Sequence, residues 1–416
     1  MKKSIQSWGN LYQKNISIKD CINSNELLLS YGNLNSYGDA GIPLGQYGFK
    51  KEELKLEKDF ISSSITIEKY ISENEKMLYG LPGRNNVTLG GAVAADVHGK
   101  DGAWGDSFIR NIDSIILLLP NNDHITCSHT KNSEVFYSTI GGYGLTGSIL
   151  GVKFQKNTIP FSYHYSSSTK KGQEIQNLLK YFNNNKYNYS VAWVNLLSKK
   201  KDWILETSTP LENINKPEKF EKININEFDF SLGLIGNNTC NSMAIINKIF
   251  FIFKTENKKI KNFSNVFYPL GFVSNTKNIS PLRKIIQIQF SIPKKNDEYI
   301  NELIELLIYN QVPLLCSVKR LSSNKNSLNL SFVQDGWTIA VDFSEKYFNH
   351  ASIRSFYKKL IELEGKIYLA KDSTLNEHEF KNMYPNYKNW RNIVKKIDPN
   401  NLFQSELSKR LGLKQW

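Results

Sequence analysis

The alternation of apolar and polar positions is clearest from residue 284 onward. "KIIQIQFSIP" alternates with period two and predicts a strand over 284–293. "NDEYINELIELLIYN" carries apolar residues at helical spacing behind a capping-type Asn-Asp, which predicts a helix over 296–310. "PLLCSVKRL" and "GWTIAVDFS" predict two more strands. "NHASIRSFYKKLIELEG" predicts a helix ended by Gly365, and "KIYLAKD" a last strand with Lys371 near its end. The order β-α-β-β-α-β is that of a ferredoxin-like split unit on an antiparallel sheet. The tail, "LNEHEFKNMYPNYKNWRNIVKKIDP", reads as mostly helical.

The first 157 residues are richer in glycine and in short strands. "DSIILLL" and "HITCSH" flank the turn "PNND" and predict a hairpin. "EVFYST" predicts one or two helical turns, and "ILGVKFQK" a strand. "VTLGGAVAADVHGK", residues 87–100, begins like a strand and then loses its side-chain volume. Between 158 and 280 the pattern is less regular: "YNYSVAWVNLL" and "NKIFFIFK" read as strands and "GQEIQNLLKYF" as a helix.

Composition narrows the class. The chain has 416 residues, 40% hydrophobic and 22% charged, which is the balance of a globular protein with ample core. The formal net charge of +14 favours anionic partners such as a phosphorylated substrate or an acidic membrane surface. The basic runs "LLSKKKDW" and "FKTENKKIKNF" lack the aromatic interleaving of a single-strand binder, so nucleic acid is not expected. Cys21, Cys127, Cys240 and Cys316 are widely spaced, as free thiols of a reducing compartment are. The start "MKKSIQSWGN" has no apolar signal core, and "IILLL" and "IFFIF" are too short to span a bilayer. A cytoplasmic location is expected, with peripheral contact at the inner face of a membrane.

Four stretches carry candidate chemistry. "SYGNLNSYGDAG", residues 30–41, offers glycines and free backbone N–H groups that suit a pyrophosphate nest or a plain surface turn. It fits neither the P-loop nor GxGxxG. The clearing at 87–100 admits close backbone approach to a flat ligand, then presents Asp96, His98 and Lys100. "IGGYGLTGS", 140–148, spends four glycines on either a bend beside such a ligand or a bulged hairpin. "IYLAKDS", 367–373, places Lys371 where it stabilises an anion if a cofactor is near. His124 and Cys127 fall on opposite faces of their strand, and no metal site is expected.

In this order the four stretches resemble the vanillyl-alcohol-oxidase-type (PCMH-type) flavoproteins, and in particular the decaprenylphosphoryl-β-D-ribose 2-oxidase group. "LNSYGD" resembles that group's "GRSYGD". "PGRNNVTLGGAVAADVHGKD" is similar to "PGT-x-x-VTVGGAIA-x-DIHGKN", and "STIGGYGLTG" to "ATVGGNGLTG". "YLAKDS … MYP … W … KIDP … FQSELSKRL" matches the C-terminal pattern. The likeness spans nearly the whole chain, weakly in the middle. It implies an α+β, two-domain PCMH-type fold: an FAD-binding domain over 1–157, shortened at its start, a central antiparallel-sheet (ferredoxin-like) substrate domain over 158–365, and a segment, 366–416, that completes the FAD domain.

By position, the resemblance assigns Ser36, Tyr37, Gly38 and Asp39 to the pyrophosphate loop and Gly83, Thr88, Gly90 and Gly91 to the FAD cradle. Ala95, Asp96 and His98 would lie along the flavin, Ile149 beside the adenine side, and Tyr368 against FAD. Lys371 would be the essential lysine, with Gln289, Lys319 and Lys100 in or beside the substrate pocket. The implied reaction is FAD-dependent oxidation of the C2 hydroxyl of a polyprenyl-phosphate-linked pentose, with hydride transfer to flavin N5. It is the first half of an epimerisation in cell-envelope polysaccharide synthesis, completed by a short-chain reductase. His98 or a water would accept the hydroxyl proton. No histidine stands in "YGNLNSYGD", so FAD is expected to be non-covalent. The chain departs from the pattern at Asn35, where the family has Arg, and in "DGAWGDSF" after Lys100. Two alternatives follow: a soluble alditol or aldonolactone oxidase on the same scaffold, or a basic binding protein with a degenerate flavin site.

Overall fold

The computed structural model describes residues 2–22, 26–49, 56–102, 104–105, 107–156, 159, 161–184, 188–212, 251–252, 254–268, 284–323 and 328–416. A first four-stranded sheet joins β1 (Lys2–Gln6), β2 (Gln13–Lys19), β3 (Leu28–Ser30) and β4 (Tyr47–Phe49). β1 and β2 are antiparallel, and β4 runs parallel to both β2 and β3. A second, antiparallel sheet has the order β5-β8-β6-β7, from β5 (Ile61–Ser62), β6 (Ile112–Leu118), β7 (His124–Ser128) and β8 (Ser148–Phe154). The β6–β7 hairpin is the one the sequence predicts. Asn122 takes the left-handed conformation in its turn, a region that Asn enters at little cost.

The third sheet is the largest. It holds β9 (His164–Gly172), β10 (Tyr189–Val194), β11 (Trp203–Pro210), β12 (Asn257–Asn262), β13 (Ile285–Pro293), β14 (Pro313–Leu321), β15 (Gly336–Ser344) and β16 (Lys366–Ile367). Its order is β12-β9-β11-β10-β14-β15-β13-β16, with antiparallel pairing throughout. The run β14-β15-β13-β16 is the ferredoxin-like order expected from the pattern. The chain is thus an α+β protein built on one mixed and two antiparallel sheets among the described residues. The strand expected at 247–254 falls mostly outside the described residues.

Period-two alternation divides this sheet into two chemistries. Ile286, Ile288, Phe290 and Ile292 of β13 share a core with Cys316 and Val318 of β14 and with Trp337, Ile339, Val341 and Phe343 of β15. The helices Ile300–Ile308 and Ile353–Glu362 contribute Ile300, Leu303, Ile304, Leu307, Phe356 and Leu360 to it. The intervening residues, Gln287, Gln289, Leu315, Ser317, Lys319, Ala340 and Asp342, turn to the opposite face and line one cavity. Among the described residues no helix is long and apolar enough to cross a membrane.

Four local expectations are corrected. Residues 89–94 are a helix, Leu89–Ala94, not a strand, because Thr88 caps it by accepting from Gly91 N at 3.1 Å. Asn296-Asp297 opens no capped helix; a 3₁₀ turn, Lys294–Tyr299, leads into Ile300–Ile308. The last strand ends at Ile367, so Lys371 lies in a turn closed by Lys371 N donating to Tyr368 O at 2.9 Å. Glu364, not Gly365, takes the left-handed conformation after Ile353–Glu362.

The C-terminal residues close onto the N-terminal ones. Leu28 bridges Phe403 and Pro43 bridges Ser405, while Tyr37 N donates to Ala370 O at 3.1 Å. A Cβ placed on Gly38 would lie 1.8 Å from the carbonyl oxygen of Asp372, so only glycine permits this approach. Gly38→Ala is expected to lower stability by at least about 2 kcal/mol, measured by urea unfolding. An unchanged midpoint would show that loop and tail separate freely.

Candidate active site

The cavity has a volume of about 320 Å³, within the range of small-molecule sites. Its walls come from three places: the loop around residues 30–41, the segment from Pro82 to Lys100, and the polar face of the large sheet together with the turn at Tyr368–Lys371. The first glycine-rich loop is fixed by Trp8 N donating to Ser36 O at 2.8 Å and Gly9 N to Tyr37 O at 3.2 Å. The Trp8 and Tyr37 rings meet edge to face at 6.4 Å.

The small residues of the second segment pack against the third. Tyr143 N donates to Ala94 O and Gly141 N to Val93 O, and Gly141, Tyr143 and Gly144 all have positive φ. The run "IGGYGLTGS" is therefore a chain of left-handed turns wrapped on the end of Leu89–Ala94, rather than a hairpin. Tyr368 reaches the same place, its hydroxyl donating to Ala95 O at 2.9 Å.

Of the residues singled out in the sequence, Ser36, Tyr37, Gly83, Thr88, Gly91, Ala95, His98, Lys100, Gln289, Lys319, Tyr368 and Lys371 line this cavity. Gly38, Asp39, Gly90, Asp96 and Ile149 are not in its lining, and each has a packing duty. Gly38 meets the tail. Asp39 is ion-paired to Arg410 at 2.8 Å. Gly90 N donates to Ser63 O at 2.8 Å. Asp96, at φ 40°, accepts from Ile109 N at 3.2 Å. Ile149 sits buried in β8 opposite Leu117.

The charged groups are perturbed by burial. Lys371 holds its ammonium 4.0 Å from the centre of the Tyr37 ring, and desolvation brings its pKa down to about 7 against the opposing pull of Asp342. Lys319 is brought down to about 8 by burial, with Asp101 opposing. Lys100 is also brought down to about 7 by burial, and its ammonium donates to the carbonyl of Val266. Asp342 is raised to about 6 by burial while its Oδ1 accepts from Gln287 Nε2 at 2.5 Å. His98 differs. Gln289 Nε2 donates to His98 Nε2 at 2.8 Å and to Thr338 Oγ1 at 3.0 Å, which puts the ring proton on Nδ1. Burial first, then the charges of Lys319 and Lys371, hold its pKa well below 6.5. His98 is thus a neutral ring with a spare N–H and a poor proton acceptor.

Trp8, Arg84, Gln287, Ser317 and Asp342 are on the lining too, outside the set that the sequence singles out. For the strand residues a signal was present. Once Gln289 and Lys319 face a pocket, Gln287 and Ser317, two positions away, must face it too. The lining also fits an acceptor-rich ligand such as FAD. Tyr31 Oη, Arg84 Nη2 and His98 Nδ1 are buried there without a partner among the described residues, and a Cβ on Gly83 would enter open space. Among the described residues no cluster of three or more His, Cys, Asp or Glu is placed to hold a metal.

Fold and cavity define an α+β protein with a donor-lined, cationic site between a glycine-rich loop and an antiparallel sheet. Comparison with known proteins adds the chemistry. Residues 278–411 match the family model of D-arabinono-1,4-lactone oxidase. The chain is 28% identical over 350 residues to decaprenylphosphoryl-beta-D-ribose oxidase of Mycolicibacterium smegmatis, covering 80% of this chain and 75% of that protein. It is also 33% identical over 90 residues to an uncharacterized protein of Streptomyces coelicolor, covering 21% of this chain and 24% of that one. The resemblance carried by the four motifs is therefore found again along most of the chain.

Proposed function

We propose that this chain, an FAD-dependent oxidoreductase, oxidises the C2 hydroxyl of a polyprenyl-phosphate-linked pentose to a ketone, as the first half of an epimerisation. The observation that carries the reading is the meeting, in one cavity, of Lys319 and Asp342 from the polar face of the sheet with Lys371 from the turn after its last strand, beside the loop that presents Tyr37. In this reading residues 1–157 and 366–416 form a PCMH-type unit for non-covalent FAD, and 158–365 a substrate unit. Tyr37, Gly83, Thr88, Gly91, Ala95 and Tyr368 would hold the cofactor, which when bound supplies the hydride acceptor. A short-chain reductase would take the ketone, and contact with the inner face of a membrane would bring the lipid-linked sugar. Similarity to a family named for a lactone oxidase supports a soluble aldonolactone as the second reading.

The residues of the chain divide the remaining work. Lys319, mostly charged at neutral pH, offsets negative charge on the substrate oxygen or phosphate. Gln289 fixes His98, whose spare N–H is a donor. Lys371 is the group matched to take the hydroxyl proton, because its pKa of about 7 leaves a neutral amine available near physiological pH. Below that value the amine is protonated and cannot accept; above it the amine is free. Bleaching of the flavin absorbance by a lipid-linked pentose is accordingly expected to rise as pH climbs through about 7 and then level off. Bleaching by soluble aldonolactones alone would move the assignment to the second reading, and a falling pH profile would remove Lys371 as the base.

A further inference from the structure

Two of the positions at which the chain departs from the pattern it resembles lie 49 residues apart in sequence and are in contact. Asn35 stands where the pattern has Arg, and Arg84 stands where it has Thr after Pro-Gly. Arg84 Nε donates to Asn35 Oδ1 at 2.9 Å, and Asn35 Nδ2 donates to the carbonyl oxygen of Asn86 at 3.3 Å. The guanidinium lies 3.5 Å from the centre of the Trp8 ring, within stacking distance. One nitrogen and one face of the guanidinium are thereby pinned, which orients the rest of the fork.

One nitrogen of that fork is unspent. Among the described residues Arg84 Nη2 is buried without a hydrogen-bond partner, and no carboxylate pairs with Arg84. Burial lowers its pKa only to about 10, so it stays charged at neutral pH. Packing on Trp8 explains the stacked face but not a buried donor left without an acceptor, which costs free energy until a ligand supplies one. The side chain lines the cavity beside Tyr37 and Lys371, where an oxyanion can reach it. A planar guanidinium with a free edge suits phosphate better than a lysine does.

We propose that Arg84, oriented by Asn35 and Trp8, is the residue with which this chain grips a phosphate oxyanion in the cavity. The inference rests on the reading of the cavity as a site for FAD and a phosphate-bearing sugar. The phosphate belongs either to the cofactor or to the substrate, and titrations separate the two. The apoprotein is titrated with FAD and with riboflavin, which shares the ring and lacks phosphate, following flavin fluorescence. The FAD-loaded protein is titrated with inorganic phosphate, following flavin absorbance.

If the cofactor's phosphate is held, Arg84→Gln weakens FAD about tenfold or more and leaves riboflavin unchanged. If the substrate's phosphate is held, FAD is unchanged and inorganic phosphate weakens by the same factor. Arg84→Lys, which keeps the charge without the fork, loses less in either case. Arg84→Thr combined with Asn35→Arg regains most of what Arg84→Thr loses. Unaltered titrations with both FAD and phosphate in Arg84→Gln overturn the inference while the proposed function stands. A wild-type protein that takes up no flavin overturns the proposed function and this inference with it.

Discussion

Arg410→Met is expected to destabilise the protein by about 3–5 kcal/mol, because it strips the cation from two buried carboxylates at once. Arg410 Nε and Nη2 each donate to Asp39 at 2.8 Å, and Nη1 donates to Asp372 at 2.8 Å and to Leu375 O at 2.7 Å. Asp39 is 1% exposed and Asp372 0%. Burial already pushes Asp39 above its ordinary pKa, and Arg410 is the main opposing influence. Without it the two acids face each other in a site with little water, and both the loop at 36–39 and the turn at 371–373 lose their shared anchor. Urea unfolding reads the loss directly. Adding Asp39→Asn to Arg410→Met should recover part of it, since one stranded charge is then gone. A fall of less than about 1 kcal/mol would show that solvent reaches the pair and screens it.

Lys371→Met should do the opposite: abolish turnover and leave the fold intact. The substitution keeps the length of the side chain and removes both the amine and its desolvation cost. The rate of flavin reduction by substrate is expected to fall at least about 100-fold, the size of effect seen when one polar group at a reacting centre is deleted. FAD affinity should stay within a few fold. The unfolding midpoint should hold or rise, since a buried lysine with a pKa of about 7 is a strained occupant. A variant that loses stability and activity together would mark Lys371 as structural.

The two predictions draw on different kinds of legibility. The ferredoxin-like unit can be read from the chain because β13 and β15 alternate along their length, β14 alternates over Cys316–Lys319, and the crossover helices carry apolar residues at helical spacing. The helix Leu89–Ala94 is masked in the sequence because Gly90 and Gly91 suppress the helical signal, while its cause, the Thr88 cap, is one hydrogen bond. The Arg410–Asp39–Asp372 cluster leaves no local trace, since its members meet only when residues 371 positions apart are brought together. Arg84 was hidden for another reason. In sequence it is a surface-type residue in a Gly-Arg-Asn-Asn loop, and only the contact with Asn35 and Trp8 gives it a direction. Motif resemblance located the cavity but could not say which matched residues face it: Asp39 and Asp96 lie on matching motifs yet spend their carboxylates on packing.

The closure of the C-terminal residues onto the loop at 36–39 sets an order of events during synthesis. Asp39 leaves the ribosome 371 residues before the arginine that neutralises it. At about 5–20 residues per second that interval is roughly 20–75 s. For most of it Tyr37 lacks Ala370, Leu28 lacks Phe403 and Gly38 lacks Asp372. Cofactor loading is therefore expected to come late, once the turn at 368–373 has been made and has met the loop at 36–39. A nascent chain arrested before residue 366 would carry the glycine-rich loop without the turn that closes on it.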